Sequence, residues 1–358
     1  MISTVALAIK EFTWKKWKKL SFTNSSEVTI RNSELIPTSE HRKYGTFTNI
    51  PVRRNVTYKL GDLVADQLFE QWENTIGDGL TKTRYGNSNP IAGSWDGTIY
   101  PEAKPERLRY ALWFTELFFL VDDKADTMTA HEAHMTLNKE FEKLFAIENE
   151  NIRLHHDSSA MEKLTIPFLR DILSFDKKRA LPILREWQHW LQNVDSKTID
   201  HFKTIEEYIL YRTINIGIRP CDPTMRFVME LDVTDDEVKL VDPILWHVCA
   251  TIALTNDYWS WHKEALHAGP GEQMKIMNGI TVLMKERNIA APEALEMLKE
   301  LACEYEKKVV NMCAHTLSKY PHASSDFHAY IQGQLWLVAG NDYWSSTCRR
   351  YHTGRLYT

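Results

Sequence analysis

The chain has 358 residues, 43% of them hydrophobic, and a formal net charge of −5. That apolar content supports a sizeable core, the charge argues against nucleic acid as a partner, and no apolar run reaches the ~18 residues of a membrane span. Five scattered cysteines with no Cys-x-x-Cys pair read as reduced thiols of a cytoplasmic protein.

Residues 1–45 read as a partly ordered leader. Lys10, Lys15, Lys16, Lys18 and Lys19 interleave with Phe12, Trp14 and Trp17. Such a basic amphipathic stretch can lie on a membrane surface, but this one is short and no membrane contact is expected. Its apolar residues 5–9 precede the lysines, the reverse of a secretory signal. From Asp62 the helical period dominates, with Val64, Leu68, Trp72 and Ile76 at intervals of four. Residues 86–97 are dense in turn formers and read as a loop. Pro105 suits the first turn of a helix that runs through the apolar residues 110–121 to an acidic end. Further helical patterns cover residues 127–147, 158–175, 182–195, 204–216, 235–239, 241–267, 279–287, 291–319 and 325–345. Pro220 and Pro223 mark a short break between helices. No strand alternation or internal repeat appears, and glycine and proline are scarce, at 14 and 13. The expectation is one all-α domain, residues 46–358, with helices packed around a common centre. Its 12 Trp, 14 Tyr and 14 Phe exceed what a core requires and point also to an aromatic-lined pocket.

Two clusters carry chemistry. Asn256, Ser260 and Glu264 recur every four positions, a spacing that drifts only roughly 40° per step and keeps all three on one helix face. An amide oxygen, a hydroxyl and a carboxylate suit a hard divalent cation such as Mg²⁺. With a single charge among them they hold it weakly unless a phosphate comes with it, and Lys263 adds a positive charge for that phosphate. The second cluster is Asp122-Asp123-Lys124-Ala125-Asp126. Asp122 and Asp126 share a helix face and repel unless a cation lies between them. Phe119, one turn earlier, shares that face. Gly217, inside an apolar helical pattern, weakens its helix by ~1 kcal/mol relative to alanine.

Together these clusters resemble class I terpene synthases, with a DDxxD motif at Asp122 to Asp126 and an NDxxSxxxE motif at Asn256 to Glu264. Arg212 stands where that family carries a diphosphate-sensing arginine, and Trp344, Ser345, Arg350 and Tyr351 look like its WSxxxxRY signature. Ile50-Pro-Val-Arg-Arg-Asn55 and Pro105-Glu-Arg-Leu108 resemble the cyclase part of fungal chimeric di- and sesterterpene synthases. The resemblance runs from about residue 45 to the end. It implies the class I helical bundle with a central apolar cavity, and ionisation and cyclisation of a linear isoprenoid diphosphate. It also implies three Mg²⁺ ions held by Asp122, Asp126, Asn256, Ser260 and Glu264, and diphosphate contacts from Arg212, Lys263, Arg350 and Tyr351. A helix break after Arg212 would have Asn215 as its linker and point the carbonyl of Ile216 or Gly217 at the substrate. Aromatic faces stabilise passing positive charge, and Trp95, Phe119 and Trp336 are the candidates.

The resemblance favours geranylgeranyl diphosphate (C20) as substrate, with geranylfarnesyl diphosphate (C25) next. Fungal chimeric enzymes continue into a prenyltransferase domain, so the chain is expected to be either such a cyclase part or a free-standing cyclase. A chain-elongating enzyme of the same fold would need a second aspartate-rich motif, and Asp235-Asp236 looks instead like a helix start. A non-enzymatic helical scaffold has no need of the Asn, Ser and Glu face.

Overall fold

The computed structural model describes residues 30–83, 86–87, 89–125, 127–146, 153–194, 197–269 and 271–352. Two short strands, β1 (Ser33–Leu35) and β2 (Arg53–Asn55), pair antiparallel. Helices α1 (Leu60–Thr75), α2 (Trp95–Ile99), α3 (Pro105–Ala125) and α4 (Lys139–Phe145) form the first half. The second half holds α5 (Ala160–Asn193), α6 (Ile205–Asn215), α7 (Cys221–Val228) and α8 (Asp235–Ala268), then α9 (Gly279–Arg287), α10 (Ala291–Lys319), α11 (Ser325–Ser345) and α12 (Arg349–His352). The all-α expectation holds.

Helix α8 is the central element and packs against α6, α10 and α11. Thr234 and Glu237 form a capping box at its start, so Asp235 and Asp236 lie in a first turn where the helix dipole favours acids. By length and composition α8 is able to cross a membrane, contrary to the sequence reading, but 61% of its most apolar window is buried inside the fold. That apolar surface faces other helices. Two separate patterns at 235–239 and 241–267 are one helix here, running through Pro243. Likewise 158–175 and 182–195 merge into α5, interrupted only at Asp176 (φ −155°, ψ 80°).

The break expected at residues 220–223 is instead the start of α7. Pro220 caps it and Pro223 falls in its first turn, where a missing N–H costs nothing because no intrahelical acceptor faces it. Residues 86–97, expected as a loop, end in the short helix α2, whose N-cap Ser94 accepts from the Gly97 N–H.

Residues 30–45, assigned above to the leader, contribute β1 and the approach to a buried strap. Asp342 Oδ2 accepts the N–H groups of Phe47 and Thr48 at 2.7 and 2.8 Å, and Glu306 accepts that of Asn49 at 2.8 Å. The basic aromatic stretch of residues 10–19 lies outside the described residues. The two fungal-type segments have structural partners. Asn55 Nδ2 donates to the carbonyls of Pro101 and Ala103, and Arg107 joins α3 to Asp176 at 2.9 Å and Glu230 at 2.8 Å.

Candidate active site

A cavity of about 720 Å³ opens between α3, α5, α6, α8 and α11. Asp122, at the C-terminal end of α3, lines one side of it. Asn256, Ser260, Lys263 and Glu264 line another from α8. Arg212, Asn215, Ile216 and Gly217 reach it from the end of α6, and Arg350 and Tyr351 from α12. Asp126 lies outside the described residues.

The cationic residues are already engaged. Arg212 donates to Asn256 Oδ1 at 3.0 Å, to Asp257 Oδ1 at 3.0 and 3.1 Å, and to Asn215 Oδ1 at 2.6 Å. Asp257 is fully buried and also accepts from Tyr208 Oη at 2.7 Å and the Gly279 N–H at 2.8 Å. Burial alone would lower the Arg212 pKa, but Asp257 outweighs it and pushes the guanidinium above its usual range. Arg350 donates to Asp122 at 2.7 Å and Asp123 at 2.9 Å. There too the paired carboxylates overcome burial and raise the arginine pKa. Asn256 Nδ2 donates to Tyr351 Oη at 2.7 Å, which ties the α8 motif to the C-terminal signature.

The donor set fits a hard divalent cation. Ser260 Oγ is buried and has no hydrogen-bond partner among the described residues. It is near enough to Glu264 to favour the charged form yet lacks the geometry of a bond. Such an orphan hydroxyl needs a partner. Glu264 accepts from Asn278 Nδ2 at 2.9 Å. Burial first, and then the charge of Asp257, raise its pKa. No cluster of three or more His, Cys, Asp or Glu suited to a metal occurs among the described residues. The candidate donors are thus divided between walls and poor in charge, an arrangement that would take a bridging anion to complete it.

Helix α6 ends where the sequence suggested. Gly217 adopts φ +70°, and a Cβ there would be strained and would meet the Trp190 ring at 3.3 Å. Trp190 Nε1 donates to the Ile214 carbonyl at 2.8 Å and steadies the end of the helix.

Trp95 and Phe119 line the cavity, and the Arg350 guanidinium lies 5.1 Å from the Phe119 ring centre. Trp336 is not among the lining residues; it is 3% exposed and belongs to the core. Eight residues separate it from Trp344, about 80° round the helix and ~12 Å along it, which turns its ring away. Trp336→Ala is therefore expected to cost ~3–5 kcal/mol of stability with an unchanged product ratio, checked by denaturation and product analysis on one preparation. The sequence reading missed Phe118, Trp187, Trp190 and Trp344, which do line the cavity. Phe118 stacks on Trp187 with centroids 3.7 Å apart. The three-residue spacing of Trp187 and Trp190 on one helix was the available signal.

Beneath the aromatic wall lies a buried acidic pair. Asp96 accepts from Thr115 Oγ1 at 2.8 Å and from Asn87 Nδ2, and Glu116 accepts the Asn87 N–H at 2.6 Å. Burial pushes Asp96 up to about 7 and Glu116 up to about 8, against those hydrogen bonds. Both bind their protons more tightly folded than unfolded. Their contribution is full below the unfolded carboxylate range and is lost as pH rises towards 8. Glu116→Gln is expected to flatten the fall in unfolding free energy between pH 5 and pH 8, by a few kcal/mol, as measured by urea titration at both pH values. An equal pH slope in the variant and the wild type would refute the assignment.

A bundle of apolar helices around an aromatic-lined cavity, with Asp122, Arg212, Asn256, Ser260, Glu264 and Arg350 in its wall, matches the class I terpenoid synthase fold. Solved structures agree. Aristolochene synthase from Penicillium roqueforti has a TM-score of 0.63 at 17% identity, covering 81% of this chain and 95% of that one. Germacradien-4-ol synthase from Streptomyces citricolor has a TM-score of 0.61 at 14% identity, covering 84% and 97%. The family model described as terpene synthase family 2, C-terminal metal binding, matches residues 114–308, more than half of the chain. The chain belongs to that family. Curated relatives include the sesterterpene synthase btcA of Colletotrichum orbiculare, 26% identical over 315 residues, covering 87% of this chain and 44% of that protein. The bifunctional terpene synthase FUP1 of Fusarium proliferatum is 28% identical over 326 residues, covering 90% and 43%. The chain thus spans less than half the length of these relatives.

Proposed function

We propose that the chain is a terpene cyclase that ionises a linear isoprenoid diphosphate, cyclises the resulting cation and releases diphosphate. The observation that supports this best is one cavity lined by Asp122 on one side, by Asn256, Ser260 and Glu264 on another, by Arg212, Lys263, Arg350 and Tyr351, and by aromatic rings. Mg²⁺, three ions by family resemblance, is the proposed metal, held by Asp122, Asn256, Ser260 and Glu264, with Asp126 by resemblance. Bound there, it supplies Lewis-acid stabilisation of the leaving diphosphate.

The protein's own residues do the rest. Arg212, Lys263, Arg350 and Tyr351 donate to diphosphate oxygens, and arginine's planar fork suits two oxygens at once. Arg212 and Arg350 are held in place beforehand by Asp257 and by Asp122 with Asp123. The allylic C–O bond breaks with its electron pair leaving on the diphosphate. The carbonyl of Ile216 or Gly217, at the α6 terminus, faces the positive charge. The rings of Trp95, Phe119, Trp187 and Trp344 exclude water and present π faces worth ~0.5–2 kcal/mol each to a passing cation. Loss of a proton, or capture of water, ends the sequence.

Geranylgeranyl diphosphate is the proposed substrate. Geranylfarnesyl diphosphate is the second reading, favoured by the sesterterpene synthases among the relatives. A prenyltransferase domain in a longer parent chain is proposed from the length of those relatives, and a cytoplasmic location from the free cysteines. Incubation with C10 to C25 diphosphates and Mg²⁺, followed by gas chromatography–mass spectrometry, tests the activity and the substrate length. Absence of diphosphate release from every substrate would overturn the activity.

A further inference from the structure

Trp95 is the one residue of α2 that is not buried, and it faces the cavity. Its backbone is held on both sides. Asn87 Oδ1 accepts the Trp95 N–H, and the Trp95 carbonyl accepts Thr98 Oγ1 at 2.7 Å. What remains free is rotation of the indole about χ2, a broad torsion in aromatic side chains. Asn341 removes that freedom, because Trp95 Nε1 donates to Asn341 Oδ1 at 3.1 Å.

The approach of the two helices is built for this contact. At Gly340, next to Asn341, a Cβ would lie 2.3 Å from the Thr98 carbonyl oxygen. Only glycine lets α11 come so close to α2. The amide orientation is forced as well. An indole N–H only donates, so the atom facing it must be Oδ1. That leaves Asn341 Nδ2 buried with no hydrogen-bond partner among the described residues. An unsatisfied donor costs stability that an apolar residue of similar size would not. Asn341 thus satisfies the indole N–H while its own Nδ2 stays unpaired in the cavity wall.

We propose that Asn341 is a positioning residue for cyclisation, holding the Trp95 indole at one tilt in the cavity wall and so setting how the folded isoprenoid chain lies against it. The proposal rests on the cyclase reading above. Asn341 touches the indole and not the ionising groups, so it acts on the product and not on diphosphate release.

The test compares wild type with Asn341→Leu, Asn341→Asp, Trp95→Phe and the Asn341→Leu/Trp95→Phe double variant. Each is given geranylgeranyl and geranylfarnesyl diphosphate, with released diphosphate, product ratio and melting temperature recorded. Asn341→Leu should still release diphosphate, while the ratio of fully cyclised to early-quenched products falls ~2- to 10-fold, the worth of one hydrogen bond. Trp95→Phe keeps a ring but loses the N–H, and should shift the ratio the same way. The double variant should go no further. Asn341→Asp keeps the acceptor and should restore the wild-type ratio. Should Asn341→Leu fail to fold, Trp95→Phe and Asn341→Asp still decide, since both leave α11 its polar contact site. A wild-type ratio in Asn341→Leu, opposite shifts in the single variants, or additive ones in the double, would overturn the role. A wild type that releases diphosphate from none of the C10 to C25 substrates overturns the cyclase reading itself, and this role with it.

Discussion

Asp122→Ala and Asn256→Ala are each expected to lower turnover by ~10²-fold or more, the scale seen when one group stabilising a developing charge is removed. The two residues lie on different walls of one cavity and have no packing role. Asp122 is 65% exposed and its contact is Arg350. Asn256 bridges Arg212 and Tyr351. Melting temperature should fall little in Asp122→Ala, because Asp122 is the exposed end of its pair and Arg350 keeps the buried Asp123 at 2.9 Å. Steady-state diphosphate release at saturating magnesium, with circular dichroism on the same sample, is the measurement. Wild-type turnover in a folded variant would remove Asp122 or Asn256 from the metal site.

Substitution of Arg212 should damage both stability and activity, and the two effects are separable. Asp257 is fully buried, so Arg212→Ala leaves it without its counter-ion and is expected to cost ~3–5 kcal/mol. Arg212→Lys keeps the charge but not the fork. One ammonium cannot reach Asp257, Asn256 and Asn215 together, so turnover should fall ~10²-fold while much of the stability returns. Denaturation and kinetics on both variants decide the matter. Near-normal turnover in Arg212→Lys would reduce Arg212 to a structural partner of Asp257.

The chemistry was readable wherever one helix carries it. Asn256, Ser260 and Glu264 share a face because of α-helical geometry alone, and they do line one cavity. Arg212 and Arg350 were legible only through motif resemblance, since nothing local says what a lone arginine meets. Asp257 shows the limit. Beside Asn256 it reads as part of the metal motif, yet it is rotated by about 100° and sits under Arg212, Tyr208 and Gly279. Asn278, which fixes Glu264, gave no signal at all.

Helical period and capping determined most of the elements, because those forces act within a few residues: Thr234 with Glu237 starts α8, and Pro105 starts α3. Which rings face the cavity was decided only by tertiary packing. Helix α11 is buried on every side from Tyr330 onward, apart from Gln332, so it has no polar stripe to mark an outer face. Burial along α11 then gives no sign of which of Trp336 and Trp344 faces the cavity, and the crossing of α11 over α2 at Gly340 separates them. The same holds for the segment just after the leader: the carboxylates of Asp342 and Glu306, far away in sequence, bind the strap at residues 47–49. A local pattern reports what a segment does to itself, and a long-range contact depends on a partner whose position exists only after the chain has folded.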